Sequence, residues 1–258
     1  RIVERAQAKR HPAPRTVTSP AATPASTPGL IFSGSKVNEF WLNQSAPGAV
    51  TEVPDPAGSG ETALKMTVSN RDVAPITPTN GPRAQLLSPA VIEPGDEFWW
   101  SGKFFLPQNF PSNVPDWLNI VEGAYGPPFD GSPPFEIEVS GDAIRWQRNS
   151  DYEWDIPWEM PLTRDSWVSF LVHERYASDG FVELWINGEP ITFFQNTSFN
   201  PNHEGQTNRL QMQTMDASND EGPNFVVIQN YRPPGMFNSV SLYQGAMKLG
   251  STRASVES

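Results

Sequence analysis

The chain of 258 residues has no cysteine. That excludes disulfides, thiolate metal sites and a cysteine nucleophile. Histidine is nearly as scarce, at three residues. Only His173 and His203 fall outside the first 29 residues, and they are too far apart to give a metal-ligand spacing. No apolar run approaches the roughly 18 residues of a helical membrane span. No glycine-rich phosphate loop and no Gly-x-Ser-x-Gly elbow is present, so the motifs of nucleotide binding and of serine hydrolases are missing. Ala6-Gln-Ala8 has the form of a signal cleavage site, but no hydrophobic segment precedes it.

Positive charge is limited and unevenly placed. Lys and Arg number 18 against 29 Asp and Glu, for a net charge of −11. Five basic residues against Glu4 give residues 1–29 a charge of about +4, which leaves about −15 on the rest. An acidic body is a poor partner for nucleic acid. Residues 12–29 are rich in Pro, Ala, Thr and Ser and cannot bury enough apolar surface to fold alone. Residues 1–29 therefore read as a basic, then Pro/Ala/Thr-rich arm, disordered or extended, with the charge to dock on an acidic protein partner.

What the chain does have is aromatic residues and turn formers. Nine Trp and fifteen Phe can fill one large core, and 27 Pro with 19 Gly imply many turns and few long helices. From Leu30 onward the pattern is β. Residues 63–68 alternate, 83–87 follow Asn80-Gly-Pro82, and 97–106 form a long aromatic strand closed by Pro107. Residues 167–176 and 181–186 flank Asp179-Gly180, and Asn187-Gly188 turns into 189–194. Segments 209–215, 225–231 and 240–245 complete about a dozen strands with no 3.6-residue period. The expected fold is all-β: one jelly-roll β-sandwich over residues 30–252, followed by a tail at 253–258.

The stretch 117–154 carries the most chemistry. Three strand patterns separated by turns would present Asn119, Glu122, Tyr125, Trp146, Arg148, Tyr152 and Trp154 on one face. Aromatic rings beside amide, acid and guanidinium groups are what a sugar-binding groove requires. Trp99 and Trp100 are adjacent, so one points into the core and one away from it. His173 reads as a strand histidine and His203 as a loop histidine. Asp216-Ala-Ser-Asn-Asp220-Glu-Gly222 offers oxygen ligands for a structural calcium ion, although not in EF-hand order. No other cofactor is implied. Glu136 and Glu138, two apart on a strand, are a carboxylate pair of the kind a glycoside hydrolase uses.

The order of these segments resembles a known family. Arg83-Ala-Gln85, Phe98-Trp-Trp-Ser-Gly-Lys-Phe-Phe-Leu-Pro107 and Trp117-Leu-Asn-Ile-Val121 are followed by Gly180-Phe-Val-Glu-Leu-Trp-Ile-Asn-Gly188, Val227-Ile-Gln-Asn-Tyr-Arg232 and a strand ending Lys248-Leu-Gly250. Over about residues 30–252 this is similar to the polysaccharide lyases of the heparin lyase I and glucuronan lyase type. The resemblance implies their concanavalin-like jelly roll, shared with some alginate lyases, and β-elimination at a uronic acid. In that chemistry an Arg or amide neutralises the sugar carboxylate, a His or Tyr removes a carbon-bound proton, and a Tyr protonates the leaving oxygen. The family's Arg-x-Glu strand reads Arg83-x-Gln85 here. Its Gln-x-His strand reads Asn119-x-Val121, with no base at the second position, and its Lys-x-Gly-x-Tyr strand reads Val227-x-Gln229-x-Tyr231, keeping only the tyrosine.

The resemblance thus implies a catalytic set of Arg83, Asn119 and Tyr231, with Tyr231 serving as both base and acid or with Tyr125 or Tyr152 as a second phenol. Gln85, Glu122, Tyr125, Trp146, Arg148, Tyr152, Trp154 and Arg232 would line the sugar-binding face. The partner is then a uronic-acid polysaccharide or a cell-surface glycan, met outside the cell or on a virion surface. The missing His and Lys also fit a second expectation. This is a non-catalytic, lectin-like structural or adhesive protein, for example a phage capsid decoration or tail-associated protein anchored through residues 1–29.

Overall fold

The computed structural model describes residues 27–72, 81–123, 133–150, 153–194, 206–215 and 222–257. In chain order the strands are β1 (Leu30–Gly34), β2 (Leu42–Asn43), β3 (Val50–Pro54), β4 (Thr62–Ser69), β5 (Arg83–Leu87), β6 (Glu97–Phe105), β7 (Val114–Gly123), β8 (Phe135–Gly141), β9 (Ala143–Ser150) and β10 (Glu153–Pro161). After them come β11 (Trp167–Arg175), β12 (Phe181–Ile186), β13 (Glu189–Pro190), β14 (Phe193–Phe194), β15 (Gln206–Thr207), β16 (Leu210–Gln211), β17 (Val226–Tyr231), β18 (Ser239–Gln244) and β19 (Met247–Gly250). A short helix, α1 (Arg253–Glu257), ends the described chain.

Two antiparallel sheets form a β-sandwich, as expected. One runs β13-β12-β11-β6-β18-β4-β3, with β19 joining β1 to β6. The other runs β10-β9-β8-β7-β17-β5-β2. Alternation explains which side chains meet between them. On β4, Leu64, Met66 and Val68 are fully buried while Lys65 and Thr67 point out. On β18, Val240 and Leu242 follow the same rule, and outside the sheet Thr67 meets Ser241 at 2.8 Å. A single core cluster gathers Leu64, Trp100, Ile120, Ile137, Trp146 and Ile228 from both sheets. The Asn187-Gly188 hairpin has φ of 52° and 83°, the left-handed pair a two-residue type I′ turn demands.

The ends differ from the sequence reading in one respect. Residues expected as a tail form α1, which buries Ser255 and Val256 and places the Val256 carbonyl 2.8 Å from Ser101 Oγ on β6. At the other end, the Gly29 carbonyl accepts the Ser251 amide at 2.8 Å, so the last residues assigned to the arm are already joined to the sandwich. Residues 1–26 of the arm lie outside the described residues.

Candidate active site

The β10-to-β2 sheet turns polar side chains away from the core. On β5, Ala84 and Leu86 face inward and Arg83 and Gln85 outward. On β17, Val226 and Ile228 are core and Gln229 and Tyr231 face out; Asn230 points inward and donates to the Met66 and Val240 carbonyls of the other sheet. β8 contributes Glu136 and Glu138, with Ile137 and Val139 behind them in the core. β7 breaks the alternation. Ile120 and Val121 are both fully buried core residues, because β7 and β8 slip register between Asn119 and Val121. Asn119 and Glu122 are therefore successive outward positions on that strand, opposite Glu138 and Glu136.

Four of these side chains form one hydrogen-bonded row across three strands. Arg83 Nη1 donates to Gln85 Oε1 at 2.8 Å, Gln85 donates to Gln229, and Gln229 Nε2 donates to Glu122 Oε2 at 2.6 Å. The Arg83 guanidinium lies over the Tyr231 ring, 4.1 Å from its centroid. Trp117 meets the same ring edge-on at 4.9 Å. Asn119, the pairing partner of Tyr231, hydrogen-bonds Glu136, and its Oδ1 is buried with no protein partner. Arg83, Gln85, Asn119, Glu136, Glu138 and Gln229 are buried, whereas Trp117, Glu122 and Tyr231 keep part of their surface exposed.

Burial dominates the electrostatics. It pushes the Glu122 carboxyl up to about 7, against the pull of the Gln229 hydrogen bond and the Arg83 charge. Glu136 is raised well above the usual carboxylate range by burial and by Glu122 and Glu138 beside it. Glu138 is pushed up by burial to about 7, with Arg145 opposing. The Tyr231 phenol is raised by burial, which outweighs the nearby Arg83 charge, so it holds its proton at neutral pH. Burial lowers Arg83, while Tyr231 and Glu122 support its charge.

Five of the expected site residues come together on this face, Arg83, Gln85, Asn119, Glu122 and Tyr231; Arg232, next to Tyr231 in sequence, was expected with them. Arg232 nevertheless belongs to the interior. It is fully buried and donates to Asn70 Oδ1 and to the Val68 and Phe237 carbonyls, so it braces loops and does not face a ligand. Trp146 and Arg148 are also corrections. β9 presents Arg145, Gln147 and Asn149 on the outward side, opposite Glu138 and Glu136, and turns Trp146 into the core against Phe135, ring centroids 4.4 Å apart. The indole buries more apolar area than the Gln147 amide, which sets the parity of the strand. Arg148 shares that parity and is neutralised by a bidentate contact to buried Asp155, Nε to Oδ1 at 2.8 Å. Trp154 pairs with Asn149 on β10, but its side chain, Tyr125 and Tyr152 lie outside the described residues.

His173 sits on the other sheet, stacked on Trp99 at 4.0 Å and 2.7 Å from Glu183, remote from this row. His203 and the Asp216–Glu221 part of the proposed calcium loop lie outside the described residues. Among the described residues no group of three or more His, Asp or Glu is placed to hold a metal ion. The sequence reading took Glu136 and Glu138 only as a hydrolase-type carboxylate pair and left Trp117, Gln229, Gln147 and Asn149 out of the site. For Gln147, Asn149 and Gln229 the signal was a polar pair two residues apart inside an apolar strand, at 147/149 and 229/231.

The polysaccharide lyase family model matches residues 32–214. The chain belongs to the polysaccharide lyase family. Solved structures with the same fold include a glucuronan lyase and alginate lyases. The endo-β-1,4-glucuronan lyase from the fungus Trichoderma reesei has a TM-score of 0.62 at 17% identity, covering 87% of this chain and 97% of its own. The PL-14 alginate lyase from Aplysia kurodai gives 0.56 at 11% identity, and the alginate lyase vAL-1 from Chlorella virus gives 0.54 at 9%; each pairs 88% of this chain with 100% of its own. The comparison with curated proteins finds no match. In this chain the row from Arg83 to Glu122 crosses the middle of the sheet, on strands β5, β17 and β7.

Proposed function

We propose that the protein cleaves a uronic-acid polysaccharide by β-elimination on the outward face of the β10-to-β2 sheet. The observation that carries this reading is the Arg83 guanidinium stacked on the Tyr231 phenol, with Gln85, Asn119 and Gln229 around them. β-Elimination needs a cation or amide donor at the sugar carboxylate, to acidify the neighbouring carbon-bound proton, and an acid at the leaving oxygen. Arg83, with amide donors at hand, supplies the first. Tyr231, a phenol that burial keeps protonated and that retains some exposure, supplies the second. Trp117, edge-on to Tyr231, offers an aromatic wall for a sugar ring.

The acidic charge of the body does not oppose this. Burial raises Glu136 well above the usual carboxylate range, which works against a negative charge on this face. The experiment is incubation with glucuronan and with alginate while following the ultraviolet absorbance of the unsaturated uronate product. Release of that product supports the reading. Saturable binding without product would make the protein a carbohydrate-binding module on a lyase scaffold, and neither binding nor product would overturn it.

A further inference from the structure

We propose that Glu122 is the general base of this site, taking the place of the histidine that the sequence lacks; the assignment rests on the β-elimination reading above. The family-like pattern puts the base two residues after the amide, at Val121. That spacing assumes regular alternation, in which residues 119 and 121 share a face. The register slip after Asn119 removes the assumption. Ile120 and Val121 both enter the core, and the next outward side chain after Asn119 is Glu122. The extra residue thus carries a carboxylate to the outward position a regular strand would have given to residue 121.

Three features of that position suit a base. Glu122 is partly exposed, whereas Glu136 and Glu138 beside it are buried. Its Oε2 is held by Gln229 Nε2 at 2.6 Å, which fixes the carboxylate and leaves lone pairs free for a substrate proton. Glu122 pairs with Val227 and Tyr231 with Asn119, and the hydrogen bond from Gln229, which lies between Val227 and Tyr231 on β17, draws the Glu122 carboxylate toward Tyr231, so base and acid can converge on the adjacent carbons C5 and C4. The groups facing Glu122 are Arg83 from β5, Gln229 and Tyr231 from β17 and Glu136 from β8. Of these Arg83 alone carries a positive charge, Tyr231 holds its proton, and burial disfavours ionisation of Glu136. A protonated phenol is a donor, so a separate acceptor is needed, and the carboxyl pushed up to about 7 is matched to that task near neutral pH.

The step balances without a co-reactant. Glu122 takes the proton from C5 of the uronate whose carboxylate is neutralised by Arg83. The electron pair forms the C4–C5 double bond, the C4–O4 bond breaks, and O4 leaves with the Tyr231 hydroxyl proton. Return of the proton from Glu122 to Tyr231, directly or through water, resets the site, and no water is consumed.

The test uses the full chain, with glucuronan and alginate as probes and release of unsaturated uronate as the readout. Glu122→Gln, nearly isosteric, is expected to lower kcat by ~10²–10⁴-fold while polymer binding and the melting temperature stay close to wild type. The acid limb of the wild-type kcat/KM profile is expected near the Glu122 value of about 7 and is expected to be lost in the residual rate of the variant. As a second variant, Glu122→Ala should recover part of its rate on addition of formate, which supplies the missing carboxylate. An active wild type whose Glu122→Gln form is unimpaired would overturn the assignment alone and return both proton transfers to Tyr231. A folded Glu122→Ala that formate does not rescue would also count against it. A wild type that releases no unsaturated product from either polymer removes the elimination reading and this assignment with it.

Discussion

The Arg83 guanidinium lies 4.1 Å from the centroid of the Tyr231 ring, and the two residues are directly paired across β5 and β17. A planar cation stacked on a phenol fixes both groups, because neither can rotate without losing the contact. It also separates their tasks. The charge is held where a carboxylate can meet it, and the phenol stays protonated beside it despite that charge.

Replacing Tyr231 by Phe keeps the ring stack and removes the hydroxyl. The expected outcome is a ~10²–10⁴-fold loss of kcat with polymer binding retained. Arg83→Lys keeps the charge but loses the planar fork that both stacks on the ring and bonds Gln85. It should raise KM and lower kcat together, by about tenfold or more in kcat/KM. Initial rates of unsaturated uronate release check both. A Phe variant with wild-type kcat would take Tyr231 out of the chemistry.

The architecture was readable in the sequence because period-2 alternation and Asn-Gly turns act locally. Strands 83–87 and 181–186 match their expected limits. Arg83, Gln85, Asn119 and Tyr231 were readable as a group because the order of their segments resembles the polysaccharide lyases. Trp146 and Arg148 were not, since the parity of β9 depends on which of two alternating sets fills the core better, a decision made by Phe135 and the opposite sheet. Asn119 and Glu122 share a face as the sequence reading had it, but the register slip that brings this about, burying both Ile120 and Val121, is announced by no local pattern. Arg232 follows Tyr231 and so points the other way; its partners, Asn70 and Phe237, are distant in sequence or across a turn.

The interior role of Arg232 gives a prediction that separates it from the site. Arg232→Met removes the guanidinium from the Val68 and Phe237 carbonyls and leaves Asn70 Oδ1 only the Gly235 amide. Stability should fall by on the order of 3 kcal/mol, read as a lower denaturation midpoint. The kcat/KM of the remaining folded protein should stay within about twofold of wild type. Loss of polymer affinity at an unchanged midpoint would instead return Arg232 to the sugar-binding face.

Gly123 tests the packing beneath the site. A Cβ at this position would lie 2.4 Å from Phe135 Cζ, and Phe135 is stacked between Trp146 and Trp100 with little room to move. Gly123→Ala should therefore cost about 1–3 kcal/mol by overpacking. For a domain of this size that corresponds to a melting temperature lower by roughly 2–10 °C. Combining it with Phe135→Leu, which opens space at the ring edge, should give back part of the loss. A Gly123→Ala variant as stable as wild type would show that the ring stack adjusts freely.

Glu174 provides a pH signature distinct from catalysis. It occupies an inward position on β11 among apolar side chains and is fully buried. Trp100 Nε1 is the polar group facing it, yet neither carboxyl oxygen makes a hydrogen bond of normal geometry. Burial pushes the carboxyl up to about 8, with Trp100 opposing. The native state therefore holds a proton that the unfolded chain releases near its ordinary value of 4.5. Between those values the native state binds more protons than the unfolded one, so this group's contribution to stability falls as pH rises and is at its least favourable above about 8. Glu174→Gln mimics the protonated form at every pH. Its melting temperature should match wild type at about pH 5 and exceed it at about pH 9, by an amount on the order of a few kcal/mol in stability. Thermal denaturation of both proteins across that range checks the sign. A Gln variant less stable than wild type at the alkaline end would mean that the ionised carboxylate has a partner in the folded protein and that the core tolerates its charge.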